Sequence, residues 1–321
     1  MLGDVFYHEA VTSKRLNKII IAVTTIAILV CLTLPAHWVN GILTPFALLL
    51  ILAGIPHGAT DFVVFQRIFA KYQITQQLVY FLTGYFLAMF FYIVVWWFSP
   101  LTAFGLFLLN SVYHFGESNW NFLDLGSKVR QSLVYIVWGS AVLAVPILLH
   151  FEQAAIIIQE FSGAHLTIST AFKTSIICSL IVGNLLMIVS LFWAKLINVS
   201  RFYREIRNFL ILMLLFFSTP LLVGFSIYFV FWHSLYAMRD QFKYLNLANE
   251  PGRKKAYIKQ LFFISLVSFL ALGGLYSFAD GHLDQGYNLG KLFVFIAVVT
   301  VPHSLLMHNL YQFKVISGKK E

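Results

Sequence analysis

The sequence predicts an all-α fold: a polytopic integral membrane helical bundle of about ten transmembrane helices. Hydrophobic residues make up 60% of the 321-residue chain and charged residues only 11%. So little charge cannot cover the surface of a soluble domain of this length. Apolar runs of about 20 residues, the length that crosses a bilayer core, recur along the whole chain. We therefore expect a single transmembrane domain over residues 1–321.

The candidate spans are the apolar runs that lie between polar breaks. The first follows a basic tail with no small-residue cleavage site beyond it, so we expect a retained helix. The seventh and eighth are separated only by Ser218, Thr219 and Pro220, and a proline can kink a helix as well as end it. The ten runs are 17–35, 42–65, 76–98, 101–122, 131–149, 172–196, 204–219, 221–240, 260–279 and 289–313.

The distribution of basic residues favours ten spans with both termini in the cytoplasm. In that arrangement the inner segments hold 20 of the 22 lysines and arginines, all except Lys173 and Lys291, as the positive-inside rule requires. If the seventh and eighth spans were one helix, the basic segments that follow them would change sides of the membrane and the basic residues would no longer be concentrated on the inner side. The formal charge of +9 then reflects the orientation of the chain in the membrane and favours contact with anionic membrane lipid. It does not imply nucleic acid as a partner. We expect a multi-pass protein of the cell inner membrane.

Four histidines fall at one depth of the predicted bundle. His57, His114, His233 and His303 belong to the second, fourth, eighth and tenth spans, which all run from outside to inside. Each lies about 12–15 residues from its outer end, or about 18–23 Å at 1.5 Å per residue. His308 lies about one and a half turns deeper. Four histidines in one layer indicate a functional site, although a single membrane histidine often only bonds a neighbouring helix.

Carboxylates accompany two of these histidines. Asp61 follows His57 by four residues and Glu117 follows His114 by three, so each carboxylate shares a helix face with its histidine. A metal-bound histidine usually donates its other ring N–H to a carboxylate, a carbonyl or water. We expect Asp61 and Glu117 to support the histidines in this way, from one turn away or from a neighbouring helix.

Imidazole ligands suit zinc, copper, iron or nickel and discriminate poorly among them. Four neutral histidines leave positions open on an octahedral metal, which suits ferrous iron and O2. A variant with His57, His114 and one carboxylate would resemble the facial triad of non-haem iron. The histidine clusters of membrane di-iron enzymes, of HxxxH and HxxHH type, do not occur in this chain. We therefore predict a single metal ion, with Fe2+ among the candidates.

Aromatic residues, 17% of the chain, flank the histidines. Aromatic walls stack against a long polyene and can stabilise a developing cation, which predicts a membrane-soluble substrate. The same residues also fill helix interfaces and membrane belts, so packing is the alternative reading. The predicted lining residues are Tyr113, Phe115, Trp120, Tyr228, Phe231 and Trp232.

Four motifs resemble the Brp/Blh family of bacterial and archaeal β-carotene cleavage enzymes. They are GIPHGATDF (54–62), NSVYHFGESNW (110–120), FWHSLYAMRDQ (231–241) and VPHSLLMH (301–308). The resemblance implies an iron-dependent membrane oxygenase that splits β-carotene with O2 into two retinals, which a microbial rhodopsin uses. It also implies that His57, His114 and His233 bind the iron.

The fourth iron ligand stays open at this stage. Some members of the family have a second histidine one turn after the third ligand, and this chain has Ala237 there. Depth in the membrane offers His303, with His308 as the alternative, or an iron that keeps only three histidines.

Three other functions compete with cleavage. They are a haem-binding or metal-binding electron-transfer protein, a transporter of metal ions or protons, and a carotenoid-binding protein without catalysis.

Overall fold

The computed structural model describes residues 2–39, 41, 58–70, 75–245, 251–279 and 289–318. Every long element within these ranges is helical and none is a strand, which confirms the predicted all-α class. A single helical turn, Ala36–Trp38, follows the first helix. The helices are α1 (Leu2–Thr33), α2 (Asp61–Phe69), α3 (Gln77–Phe98), α4 (Pro100–Trp120), α5 (Lys128–Leu149), α6 (Phe151–Ser162), α7 (Thr170–Trp193), α8 (Val199–Ser218), α9 (Leu221–Ile227), α10 (Leu235–Tyr244), α11 (Pro251–Ala279) and α12 (Leu289–Gly318).

Six helical segments of the described chain are long and apolar enough to cross a membrane, and each overlaps a predicted span. They are Arg15–Thr33, Gln77–Phe98, Lys128–Leu149, Thr170–Trp193, Leu221–Tyr244 and Leu289–Gln312. Helices α4, α8 and α11 coincide with three more predicted spans, whereas most of the span at 42–65 lies outside the described residues. Large apolar side chains such as Trp97, 85% exposed, cover the outside of the bundle, as lipid contact requires. The total of ten crossings and the cytoplasmic termini stay predictions.

Helix α6 replaces part of an expected outer loop. Its residues Phe151, Ala154 and Ile158 are buried, and their spacing of three and four residues gives a short helix one apolar face. Gly163 ends the helix in the left-handed conformation at φ 69° and donates its N–H to the carbonyl of Gln159, a common helix C-cap. The loop prediction was wrong here because twelve residues are too few to read as a membrane span.

Helices α4 and α5 cross at two glycines. A Cβ atom added to Gly116 would overlap the carbonyl oxygen of Tyr135, and one added to Gly139 would overlap that of Val112. Only glycine allows two helix backbones to approach this closely, as small residues commonly do in membrane bundles. Gly116 lies between His114 and Glu117, so this crossing fixes the height and rotation of both side chains.

The eighth predicted span is not one regular α-helix. Residues Tyr228–Ser234, between α9 and α10, form a π-helix, and the Ser234 hydroxyl donates to the carbonyl of Phe229 at 2.8 Å. A π-helix places an extra residue in the turn and so rotates everything that follows it. His233 lies at the end of this segment, which gives its ring a direction that the 3.6-residue period does not predict.

Candidate functional site

Three of the four predicted histidines meet inside the bundle. His114 comes from α4, His233 from the π-helix and His303 from α12, and they are 2%, 3% and 3% exposed. The ring centroids of His114 and His233 are 5.0 Å apart, and those of His114 and His303 are 5.5 Å apart. His57 lies outside the described residues. The depth argument therefore brings together three imidazoles from three helices.

Asp61 holds the ring of His303. The His303 Nδ1 atom lies 2.9 Å from Oδ1 and 3.0 Å from Oδ2 of the carboxylate, and the Tyr85 hydroxyl donates to Oδ2 at 3.1 Å. An ionised carboxylate only accepts hydrogen bonds, so Nδ1 is the donor and the lone pair of neutral His303 is on Nε2. Gly58 packs against this ring, since an added Cβ would lie 3.4 Å from Nδ1. Asp61 thus supports a histidine of a neighbouring helix.

Glu117 was predicted to share a helix face with His114, and its described hydrogen bond goes to another helix. It accepts a hydrogen bond from Nδ1 of His308 at 2.8 Å, because its side chain points across to α12. Glu117 is fully buried, whereas the His308 side chain is 39% exposed, and the ring of Tyr113 lies 5.8 Å from that of His308. His308 therefore belongs to a second histidine–carboxylate pair, deeper than the three clustered histidines.

An apolar cavity ends at the three histidines. Its empty space, with its open end, is about 1140 Å³, and among the described residues its polar lining consists of His114, His233, His303, Ser111 and Thr300. On α12 it extends from His303 to Leu289, a distance of about 21 Å at 1.5 Å per residue. The histidines thus lie at one end of a long hydrophobic space, on the side that the sequence predicts to be cytoplasmic.

Phenylalanines form the walls of this cavity. Phe161 and Phe293 stack with their centroids 5.6 Å apart, and Phe107 meets Phe293 edge to face at 5.1 Å. On the opposite wall Phe225 stacks on Phe229, and Phe229 stacks on the His233 ring at 5.8 Å. This series of parallel rings leads along the cavity to a histidine, as the wall of a polyene site would.

The predicted lining residues lie in several places, and only one of them reaches the apolar cavity. Phe115 lines it. Tyr228 and Trp232 line a second, polar cavity on the other side of His233. Tyr113, Trp120 and Phe231 line neither of these two cavities. Trp120, for example, is fully buried against Trp138, because adjacent residues on a helix point in different directions.

Sequence reasoning missed the residues that form the walls and that position Asp61. Tyr85 donates to Asp61, yet it is one of 15 tyrosines and lies in an ordinary apolar run. The wall phenylalanines come from α4, α6, α9, the π-helix and α12. Apolar residues that recur every 3.6 residues indicate which face of a helix is buried. They do not indicate whether that face borders a cavity or packs against another helix, so the wall residues could not be identified.

The second cavity is polar and is lined by three arginines. Arg201, Arg204 and Arg239 face it together with Glu205. Arg239 pairs with Asp240 at 2.7 Å. Burial lowers the pKa of Arg201 to about 10; Glu205 raises that pKa, and the positive charges of Arg204 and Arg239 lower it. His233 and Phe115 line both cavities and so form part of the wall between them.

No group of three or more His, Cys, Asp or Glu side chains in the described ranges is arranged to hold a metal ion as it stands. The three rings are close to one another, but closeness of centroids does not require their lone pairs to converge. Ala237, one turn after His233, is fully buried. α10 therefore supplies no histidine one turn after His233.

Comparison with known proteins agrees with this geometry. The family model for beta-carotene 15,15′-dioxygenase matches residues 48–311. The chain is 25% identical to a beta-carotene 15,15′-dioxygenase from uncultured marine bacterium 66A03, over 273 residues that cover 82% of this chain and 92% of the relative. No solved structure matches significantly. The matched segment spans nearly all the helices described above and includes His114, His233 and His303, so the chain belongs to the beta-carotene 15,15′-dioxygenase family.

Proposed function

We propose that this protein cleaves β-carotene at its central double bond with O2, at a ferrous ion held by histidines, and releases two all-trans-retinal molecules. The observation that carries the proposal is the meeting of three buried imidazoles at one end of a phenylalanine-lined cavity. Membership of the family supports the reaction and the substrate. The metal and its ligands rest on the residues themselves.

The donor set fits a ferrous ion by residue type, and the separations between two pairs of rings are of the size that shared ligation would give, although the three rings are not arranged to hold a metal ion as they stand. Two imidazoles bound to one metal at about 2.1 Å have ring centroids about 4.5–5.5 Å apart when the ligands are 90–120° from each other. The two measured separations, 5.0 and 5.5 Å, fall in this range. Imidazoles without a thiolate suit iron among other metals. We propose His114, His233 and His303 as ligands, with His57, which directly precedes Gly58 in the chain, as the fourth.

A bound ferrous ion would supply the activation of O2 next to the polyene. The protein would hold the ligands of that ion in position. Asp61 accepts a hydrogen bond from Nδ1 of His303, which leaves Nε2 as the ring nitrogen that would bind the metal, while the Tyr85 hydroxyl donates to the carboxylate. Such partners raise the basicity of a ligand and hold its ring in place. Glu117 pairs with His308 and is assigned no ligand role.

The apolar cavity positions the hydrocarbon and excludes water. One arm of the carotene would extend along α12 between the stacked phenylalanines, with the central double bond next to the imidazoles. Each of the two aldehydes takes one oxygen atom of O2, so the balanced reaction needs no external reductant. A dry site also keeps water from intercepting the reacting carbons. The retinal formed would serve a microbial rhodopsin in the same inner membrane.

Carotenoid binding without cleavage is the second candidate. The fully buried Ala237 replaces a histidine that some relatives use, and the phenylalanine walls suit a bound polyene whether or not it reacts. The two candidates differ in product, because a binding protein leaves carotene intact.

The test is expression in a bacterium that makes β-carotene, with retinal quantified by chromatography. We expect retinal from the wild-type chain and none from His114→Ala. His150→Ala is the matched control, since that half-buried histidine bonds the carbonyl of Phe216 outside the cluster, and it should leave retinal unchanged. Intact carotene in cells that contain the wild-type protein would refute cleavage and favour binding.

A further inference from the structure

The polar cavity on the far side of His233 has no role in the proposed cleavage. It lies between α1, α4, α8 and α10, near the side that the sequence predicts to be cytoplasmic. His233 and Phe115 separate it from the apolar cavity. The charged and hydrogen-bonding side chains that line it are Asn17, Ser118, Asn119, Arg201, Arg204, Glu205, Asn208, Tyr228, His233, Tyr236 and Arg239.

Positive charge exceeds negative charge around this cavity. Arg201 and Arg204 share one carboxylate, that of Glu205, at 2.9 and 3.4 Å. The third guanidinium, of Arg239, pairs with Asp240 at 2.7 Å. Three guanidinium groups therefore face two carboxylates, which leaves one positive charge in excess. The pKa of Arg201 agrees with this count, because Arg204 and Arg239 both lower it.

One hydrogen-bond donor of the wall is buried without an acceptor among the described residues. The amide nitrogen of Asn119 is buried and meets no acceptor in the part of the chain that the structure describes. The Tyr236 hydroxyl donates to the side-chain oxygen of Asn17 at 2.7 Å, so that oxygen already accepts one hydrogen bond. Guanidinium groups donate and never accept. A group made of acceptor oxygens with a negative charge would satisfy both the charge and the donors.

The remaining wall is apolar. It includes Trp138, Leu212 and Trp232. The cavity therefore offers hydrocarbon contacts in addition to the guanidinium groups and the Asn119 amide. Basic pockets between helices at the cytoplasmic side of a membrane are suited to anionic lipid headgroups, and arginine pairs well with phosphate oxygens. We propose that this cavity binds the headgroup phosphate of an anionic phospholipid, with part of an acyl chain against the tryptophans.

The test measures retained lipid and is independent of carotene cleavage. The purified full-length protein is reconstituted in nanodiscs of phosphatidylcholine and phosphatidylglycerol, then delipidated, and the phosphatidylglycerol retained per chain is quantified by mass spectrometry. One charge near a membrane surface contributes about a fivefold change in binding, so we expect Arg204→Gln to lower retention about fivefold. Arg130→Gln is the matched control, because Arg130 is exposed on α5 and does not line the cavity.

Two further variants and one competitor complete the design. Arg204→Lys keeps the charge and should retain most of the lipid, while Asn119→Leu should lose it; helix content by circular dichroism shows that each variant is folded. Equal retention in wild type, Arg204→Gln and Asn119→Leu would overturn the proposal. Displacement of the lipid by inorganic phosphate alone would show an oxyanion site that does not require lipid, and would overturn the assignment to a phospholipid.

Discussion

Replacing Asp61 by asparagine tests how the site holds its histidines. The carboxylate receives Nδ1 of His303 at 2.9 and 3.0 Å, and both side chains are almost fully buried. Asparagine keeps the size and one acceptor but removes the charge that stabilises the donor. Loss of such a partner costs about 10–100-fold in metal affinity, which is about 1.4–2.7 kcal/mol. We expect Asp61→Asn to weaken Fe2+ binding by this factor.

The assay is anaerobic titration of metal-free protein with Fe2+, followed by retinal formation at saturating iron. Asp240→Asn is the control, because Asp240 is also buried but binds Asn121 and Arg239 and no histidine. It should alter stability and leave the iron affinity unchanged. Tyr85→Phe removes only the hydroxyl that bonds Asp61 and should give a smaller loss than Asp61→Asn.

Equal iron affinity in Asp61→Asn and wild type would refute the reasoning. It would mean that the contact between Asp61 and His303 serves packing of α2 against α12 and not ligand orientation. A loss of iron in Asp240→Asn as large as in Asp61→Asn would point to general destabilisation of the bundle instead.

Three more variants address the helix crossing, the cavity and the deeper histidine. Gly116→Ala should lower stability by about 1–3 kcal/mol, seen as a lower thermal midpoint, because its Cβ would overlap α5. Ile296→Phe, which fills the apolar cavity, should lower carotene turnover about tenfold without loss of iron. His308→Ala should leave iron bound but destabilise the protein by about 1–3 kcal/mol, since buried Glu117 loses its donor.

Each of these variants has a result that would contradict its rationale. Gly105→Ala lies on the same helix with open space around it, so a midpoint lowered as much as in Gly116→Ala would remove the argument from close approach. Unchanged turnover of carotene in Ile296→Phe would place the substrate outside the apolar cavity. Loss of iron in His308→Ala, with iron kept in His303→Ala, would transfer the ligand role to His308.

The histidine cluster could be predicted from the sequence because helical rise converts residue number into depth. His114, His233 and His303 lie at similar distances from their helix starts, and the structure places their rings next to one another. Nine of the ten predicted apolar runs coincide with helices of the structure. The remaining run, 42–65, lies mostly outside the described residues. The depth of a residue in a helix and the hydrophobicity of that helix depend on that helix alone, so both can be predicted from the sequence of the helix.

Contacts between helices could not be predicted in this way. The sequence left open whether Asp61 supports a histidine of its own helix or of a neighbouring one, and the structure shows a contact with His303 of α12, while Glu117 contacts His308. Such pairs depend on the rotation of each helix, which the glycine crossing sets for α4. The π-helix at Tyr228–Ser234 adds a rotation of its own and changes which aromatic residues face the cavity. These rotations arise from packing among several helices, and of the predicted lining residues only Phe115 faces the apolar cavity.

The measurement that tests the central claim most directly is X-ray absorption at the iron edge of purified protein that is active on β-carotene. We predict one iron per chain with nitrogen neighbours that show imidazole scattering. His114→Ala, His233→Ala and His303→Ala should each reduce that scattering and abolish retinal formation. Retinal formation by iron-free protein, or unchanged imidazole scattering in all three variants, would contradict a ferrous site built from these histidines.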